Sequence, residues 1–565
     1  MASTTALRSR RSAAQLQALA GVERTIRVND QNNRRKYLRD FSQAFRSYDS
    51  VLDSNHFSGL IAKSDILLIG DYHALPASQR FATSLIEQLA TQFERPIVVG
   101  IETIFARDQH VLDEWWYEEI EENELRERIR FDLDWGYEWE PVYELLETAR
   151  QYADAAYGLD CMPREDLRKI GARDKHAADK VIEIRRAHPD AQIAVLFGES
   201  HLAPNHLPQL LREALPDERV VTVLQNVDAL YWRAAGEERD SVEAVQVTDD
   251  VVCVFNTTPL EKYESYRLCL DRWSREDTGA PDLSPTIYNL VSGLLSFLGI
   301  KMYSSHNTTQ PRFLVDSLPE VYTRSSDSLL RKLLARKCLS ESEKIALANR
   351  AADRGCAYLP HVNAFYVREF VMVHAAEEVA RFLYHACQGL PLCAKGSAVP
   401  GVSRAKAPDD LFYARSIENA LAYFGSRVLN PARPAAREAD LHELYDDTRQ
   451  DIEQRTSFKF PEFIEMLDFL TLHRGFEAKS ARYQQTPDLI LKGRNYTEEK
   501  LEFVTRQLGY MLGSDLYDAY LEGRVTKRFV KDLFLLHLDE LGFAEKAYFT
   551  LVRKLRPRRT GIVRK

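Results

Sequence analysis

The chain has 565 residues, 45% of them hydrophobic and 28% charged, with a formal net charge of -9. This length and apolar content suffice for a full-sized core and more than one domain, and the acidic balance argues against bulk nucleic-acid binding. Seven cysteines, an odd number with no CxxC spacing, indicate neither a disulfide framework nor a thiolate zinc site, so a reducing, cytoplasmic setting is expected.

In chain order, residues 1–55 read as a partly disordered N-terminal extension with solvated arginines, lacking the sustained apolar core and lipid-accepting cysteine of an export signal. Residues 56–275 alternate continuous apolar runs with amphipathic stretches. "DILLIG", "PIVVGIE", "AAYGLD", "QIAVLFG" and "RVVTVLQ" are predicted strands. "ASQRFATSLIEQLATQF", a long region from "RDQHVLDEWW" through "DWGYEWEPVYELLETARQY", "RDKHAADKVIEIRRAH" and "LPQLLREAL" are predicted helices. Apolar runs separated by amphipathic helices predict an α/β domain with an open, mostly parallel sheet flanked by helices. "EAVQVTDDVVCVFNT" adds a strand pair and "PLEKYESYRLCLDRW" a closing helix. Residues 276–284 read as a linker, 285–556 as a largely α-helical region with a dividing loop at 394–410, and 557–565 as a basic tail. Within this mostly helical region, "FYVREFVMVHAAEEVARFLYHACQ", "PEFIEMLDFLTLHRGF" and "VKDLFLLHLDEL" read as helical. The most apolar stretch, "IYNLVSGLLSFLGIKM", is too short and too interrupted for a membrane span and is expected to be a buried helix.

Chemistry is expected where the strands end, because ligands of open parallel sheets bind beyond their carboxyl ends. The first predicted strand ends at Gly70, Asp71, Tyr72 and His73, the second at Gly100, Ile101 and Glu102. The others end at Gly158, Leu159 and Asp160, and at Gly198, Glu199, Ser200 and His201. Two histidines and several carboxylates on one rim have three uses. They can ligate zinc, manganese or iron, act as general acid and base, or hydrogen-bond one another and pin the strand ends.

The paired GxxH strand ends, "GIET" between them, "YGLDCMPRED", and "RDKHAADKV" before the second motif resemble the ChaN-like branch of the superfamily that includes Tiki, TraB and erythromycin esterase proteins. The resemblance covers about residues 60–235. It implies either a metal-dependent peptidase or a metal-free esterase, or the haem binding and iron uptake associated with ChaN. On the hydrolase reading a divalent ion is held by His73, His201 and Glu102, with Glu102, Arg173, Glu199 and Asp71 as catalytic candidates. Tyr72, Asp160 and His206 are candidate contacts to haem or substrate, with Tyr72 an axial-ligand candidate on the haem reading. A third reading makes the fold a scaffold whose helical half binds a partner protein. The first motif reads GDYH where many relatives carry glutamate second, which places the Asp71 carboxylate one methylene short.

Arg173 is expected to reach a substrate carboxylate, phosphate or haem propionate, or to pair with Glu199. Trp135, Tyr137 and Trp139 can wall a flat apolar ligand or pack a helix. His374, Glu378, Arg381 and His385 share one helical stripe, which reads as an exposed or inter-domain polar face before it reads as a metal site. The expected ligand is therefore a small molecule, a peptide or haem, without nucleic acid, and oligomerisation is left open.

Overall fold

The computed structural model describes residues 4–29, 36–93, 95–161, 170–237, 242–274, 282–301, 318–323, 327–335, 339, 341–388, 408–445, 449, 452, 458–480, 497–538 and 540–555. Most of the expected linker, most of the loop at 394–410 and the tail at 557–565 lie outside them. The chain divides into two compact units, Leu19–Gly279 and Met1–Ala18 with Ala280–Lys565.

The frame of the first unit is an eight-stranded sheet. Its strands are β1 (Ser50–Leu52), β2 (Ile66–Asp71), β3 (Ile97–Phe105), β4 (Ala155–Asp160), β5 (Gln192–Gly198), β6 (Val220–Gln225), β7 (Ala244–Thr248) and β8 (Val251–Val254), in the spatial order β1-β7-β8-β6-β2-β5-β3-β4. The six strands from β8 to β4 run parallel, while β7 and β1 form an antiparallel edge. Every residue of β2, β3, β5 and β6 is buried. That burial explains their continuous apolar runs, since helices cover both faces of a parallel sheet.

The unit begins earlier than residue 56. Residues 50–52 pair with β7, and much of the expected N-terminal extension is helical, in Thr4–Asn29 and Lys36–Ala44. Leu19, Val22 and Ile26 of the first helix are buried, as a stripe of helical spacing requires. The long helical region expected between 107 and 152 is broken into Gln109–Trp116, Glu122–Arg128, Phe131–Asp134 and Glu140–Tyr152. Glu118, Arg130 and Gly136 adopt positive φ at or near the breaks, and no helix continues through that conformation.

Strand β2 is the switch point. The chain leaves it for β3 and β4 on one side, returns to β5 beside it, then crosses to β6 and β8 on the other. The register sets Asp71 opposite Gly198, so the two GxxH motifs emerge side by side. The pairing of β3 with β4 becomes irregular between Ile101 and Phe105, the stretch that contains Glu102. Such irregularity bends a strand and re-aims its side chains.

The second unit is helical, with one small sheet. Strands β9 (Glu320–Thr323), β10 (Cys356–Leu359) and β11 (Ala364–Val367) pair in the order β10-β11-β9. Two expectations need correction here. "AFYV" is strand β11 and the following helix starts only at Met372, because aromatic and β-branched residues pack well on a pleated sheet. The helix Lys527–Phe534 stops before "LLHLDEL". The apolar stretch at 287 forms the buried helix Ser284–Leu298, closed by Gly299 at φ 65, and no helix among the described residues is long and apolar enough to cross a membrane.

The expected polar face on Met372–Gln388 is interior. Glu378 and Arg381 are fully buried and His385 nearly so. Arg381 donates to Glu418 at 2.5 Å and to Asn419 at 2.9 Å, and Arg354 and Arg433 both bond Glu377. These carboxylates are claimed by guanidinium groups.

Candidate functional site

The carboxyl ends of β2, β3, β4 and β5 converge on Glu102. Its Oε1 accepts from Arg173 Nη2 at 2.6 Å and its Oε2 from the backbone N–H of Gly198. Arg173 forks onto Asp160, donating from Nε at 2.9 Å and from Nη2 at 2.8 Å. Asp160, Arg173 and Glu102 therefore form a rigid buried relay, and the bidentate geometry fixes the guanidinium plane.

Both motif histidines turn Nε2 toward this carboxylate. His73 Nε2 lies 3.5 Å from Glu102 Oε2 and His201 Nε2 lies 3.9 Å from Oε1. Each also holds an aspartate at Nδ1: His73 donates to Asp71 at 2.6 Å and His201 to Asp174 at 2.5 Å. Asp71 is steadied by Gln79 at 2.5 Å, and the second oxygen of Asp174 accepts from His206 Nδ1 at 2.8 Å. An ionised carboxylate only accepts, so each ring carries its hydrogen on Nδ1 and presents Nε2 inward. Gly198 makes room for the convergence. A Cβ there would stand 3.0 Å from Glu102 Oε2 and 3.4 Å from both rings.

Burial works against a charged His73, but the charges of Asp71 and Glu102 and their hydrogen bonds outweigh it and push its pKa up to about 10. Burial alone would raise Glu102, yet His73, Arg173 and His201 hold it well below the usual carboxylate range. His73 is thus an imidazolium at neutral pH, fixed between two carboxylates. Its side chain keeps 16% exposure against 4% for His201, so His73 is the ring nearer solvent.

Several expectations are relocated. Arg173 pairs with Asp160 and Glu102. Glu199 instead accepts two hydrogen bonds from Lys262 Nζ, at 2.9 and 3.0 Å, because the 3-10 turn Glu199–Leu202 sends it away from His201. Burial disfavours the Lys262 charge, but Glu199 and Asp228 outweigh it and hold the ammonium protonated. Tyr72 places its ring 4.6 Å from that ammonium. Burial, with Tyr263 and Glu199 nearby, pushes its hydroxyl pKa well above normal. Trp135 and Tyr137 flank His73 at 5.2 and 5.5 Å, whereas Trp139 packs on Phe131 and Tyr143 in the core.

Asp174, Lys262 and Gln79 were not singled out from the sequence. Asp174 follows Arg173 in the helix Ile170–Ala187, and that adjacency was the one available signal. Lys262 offered none.

The expected divalent ion finds no cage. Among the described residues no group of three or more His, Cys, Asp or Glu side chains is arranged to hold a metal ion. Glu102 is committed to Arg173 and Gly198. Haem fares differently. Trp135 and Tyr137 beside His73 supply aromatic walls for a flat ring.

Residues 59–201 match the family model described as "Haem-binding uptake, Tiki superfamily, ChaN". The chain carries a ChaN-like domain. A solved structure entitled "Cofacial heme binding to ChaN of Campylobacter jejuni" aligns at 15% identity over 31% of this chain and 90% of that one, with a TM-score of 0.24. No curated protein matches.

Proposed function

We propose that the ChaN-like domain hydrolyses an ester or amide by acid–base chemistry between its two motif histidines, without a metal step. One observation carries this reading: two Asp–His pairs point their Nε2 atoms at a single carboxylate, and one of the rings is an imidazolium. Two imidazoles that face one carboxylate, each oriented by its own aspartate, can serve as an acid and a base.

The 3.9 Å gap between His201 Nε2 and Glu102 is too long for a direct hydrogen bond and suits a bridging water. In this mechanism His201 Nε2 takes a proton from that water as its oxygen attacks the carbonyl carbon. His73 gives its Nε2 proton to the departing oxygen or nitrogen, and its positive charge stabilises the tetrahedral oxyanion. The proton on His201 then returns to His73 through solvent, which restores both rings. Asp71 and Asp174 hold the tautomers, and Arg173 holds Glu102 without touching substrate.

The test is a panel of esters, lactones and peptides with wild type, His73→Gln and His201→Ala, in chelator. Turnover that survives chelation and collapses in both variants supports the reading. No turnover of any panel member, or turnover indifferent to both substitutions, sinks it.

Haem is the second reading, favoured by the family description and by the aromatic walls beside His73. It requires a Soret band on titration that His73→Ala or Tyr72→Phe diminishes.

A further inference from the structure

Five rings run in sequence around the mouth of the histidine site. His73 meets Tyr137 at 5.5 Å, Tyr137 meets Trp273 at 5.4 Å, Trp273 meets Tyr266 at 6.3 Å, and Tyr266 meets Tyr72 at 6.3 Å. The collar grades outward, from Trp135 behind His73 at 4% exposure to Trp273 at 44%. A tryptophan that exposed is usually loose, but this one is tied down. Its indole N–H donates to the Gly136 carbonyl at 2.9 Å, and the neighbouring Arg272 bonds Glu138 at 2.9 Å. Gly136 sits at φ 68, where a Cβ would come within 2.9 Å of the indole nitrogen, so the loop is shaped to accept that ring.

The charges beneath the collar do not balance. Asp71, Glu102, Asp160 and Asp174 share hydrogen bonds and ion pairs with His73, Arg173, His201 and His206, and beside this cluster Lys262 binds Glu199 and feels the charge of Asp228. These six carboxylates face five basic side chains, those of His73, His201, His206, Arg173 and Lys262. Aromatic faces over an excess of negative charge attract organic cations, because the ring quadrupole and the carboxylates act in the same direction. One cation already uses the collar this way, since Lys262 lies over Tyr72.

We infer that the aromatic collar of Tyr72, Tyr137, Tyr266 and Trp273 is a binding site for an organic ammonium group, so that the substrates are esters or amides carrying a positive charge. The substrate half of this inference rests on the hydrolytic reading above; the binding half does not. Trp273 is the residue assigned to specificity.

The experiment has two arms on the full-length chain. In the first, tetramethylammonium and the uncharged tert-butanol are titrated by calorimetry into wild type, Trp273→Ala, Trp273→Phe and Gly136→Ala. Tetramethylammonium should bind in preference to the alcohol. Trp273→Ala should weaken it about 3- to 30-fold, the range for a desolvated cation–π contact, with Trp273→Phe recovering part and Gly136→Ala reproducing part of the loss. Equal binding of the two probes, or a tetramethylammonium affinity indifferent to Trp273, overturns the inference. The second arm compares turnover of acetylcholine with its uncharged isostere, in which carbon replaces the quaternary nitrogen. Cation binding without turnover of either ester keeps the collar site and removes the hydrolytic reading. Turnover of both esters at equal kcat/KM does the reverse.

Discussion

Two buried ionic clusters, one in each unit, use the same residue types to opposite effect. In the helical unit, Glu377 is bonded by Arg354, Arg433 and Tyr510, and Glu418 by Arg381. Burial would raise these carboxyls, but Arg354 and Arg433 hold Glu377, and His385 and Arg381 hold Glu418, far below the usual range, and Arg350 holds Glu502 at about 2. Their charges are fixed across the physiological range. At the end of the sheet, Arg173 plays the same part for Asp160 and Glu102, but two histidines complete the circle. Glu377, held by two arginines and a tyrosine, is a strut; Glu102 is shared between Arg173 and two imidazoles that can donate or accept a proton.

The sharpest way to break this contrast is catalytic. His201→Ala should lower turnover by about 10²- to 10⁴-fold, the usual worth of general acid–base catalysis, whereas His385→Ala in the helical cluster should leave it intact; steady-state kinetics on one ester decides. Next in size is a stability effect. Arg381→Met removes the closest basic partner of Glu418 and one partner of Glu378 in the interior and should cost about 3 kcal/mol, read as a lower midpoint in denaturant unfolding. A cost below about 1 kcal/mol would mean the helical cluster is not the strut described.

The two clusters should also part company with pH. The folded His73 pKa of about 10 lies above its ordinary 6.5, so its contribution is fully present below 6.5 and is lost as pH rises toward 10. The depressed Glu377, Glu418 and Glu502 contribute above about 4.5 and lose that contribution only as the solution becomes acid. Hydrogen exchange followed by mass spectrometry at pH 6 and pH 10 should show protection falling in β2 and β5 and holding in Met372–Gln388; His73→Phe should erase the difference. The smallest effect sets the baseline. Arg126→Ala removes an exposed partner of Asp132 and should change stability by no more than about 1 kcal/mol.

What could be read from the residues depended on how local the cause was. The strands ending at Gly70 and Gly198 were legible because a parallel strand buried on both faces must be apolar throughout, and an acid followed by a histidine after such a run has few structural uses. "AFYV" was misassigned because a four-residue strand before a helix has no period of its own. The site's carboxylates were mostly legible, but their partners were not. Asp174 lies 27 positions from His201, and Lys262 lies 63 from Glu199. No spacing rule reaches that far.

By itself, then, the sequence determined a parallel α/β domain, its strand ends, and the side chains available there, because hydrophobic periodicity and glycine placement act over a few residues. Only the tertiary structure decided which carboxylate each histidine holds, that Arg173 braces Glu102 and Asp160 rather than Glu199, that Glu199 belongs to Lys262, and that Trp273 joins the aromatic rings beside the site. Those pairings follow from strand order, from the irregularity in β3 at Glu102, and from where the helices Ile170–Ala187 and Pro259–Ser274 begin and end. These are properties of the packed sheet that no single segment encodes.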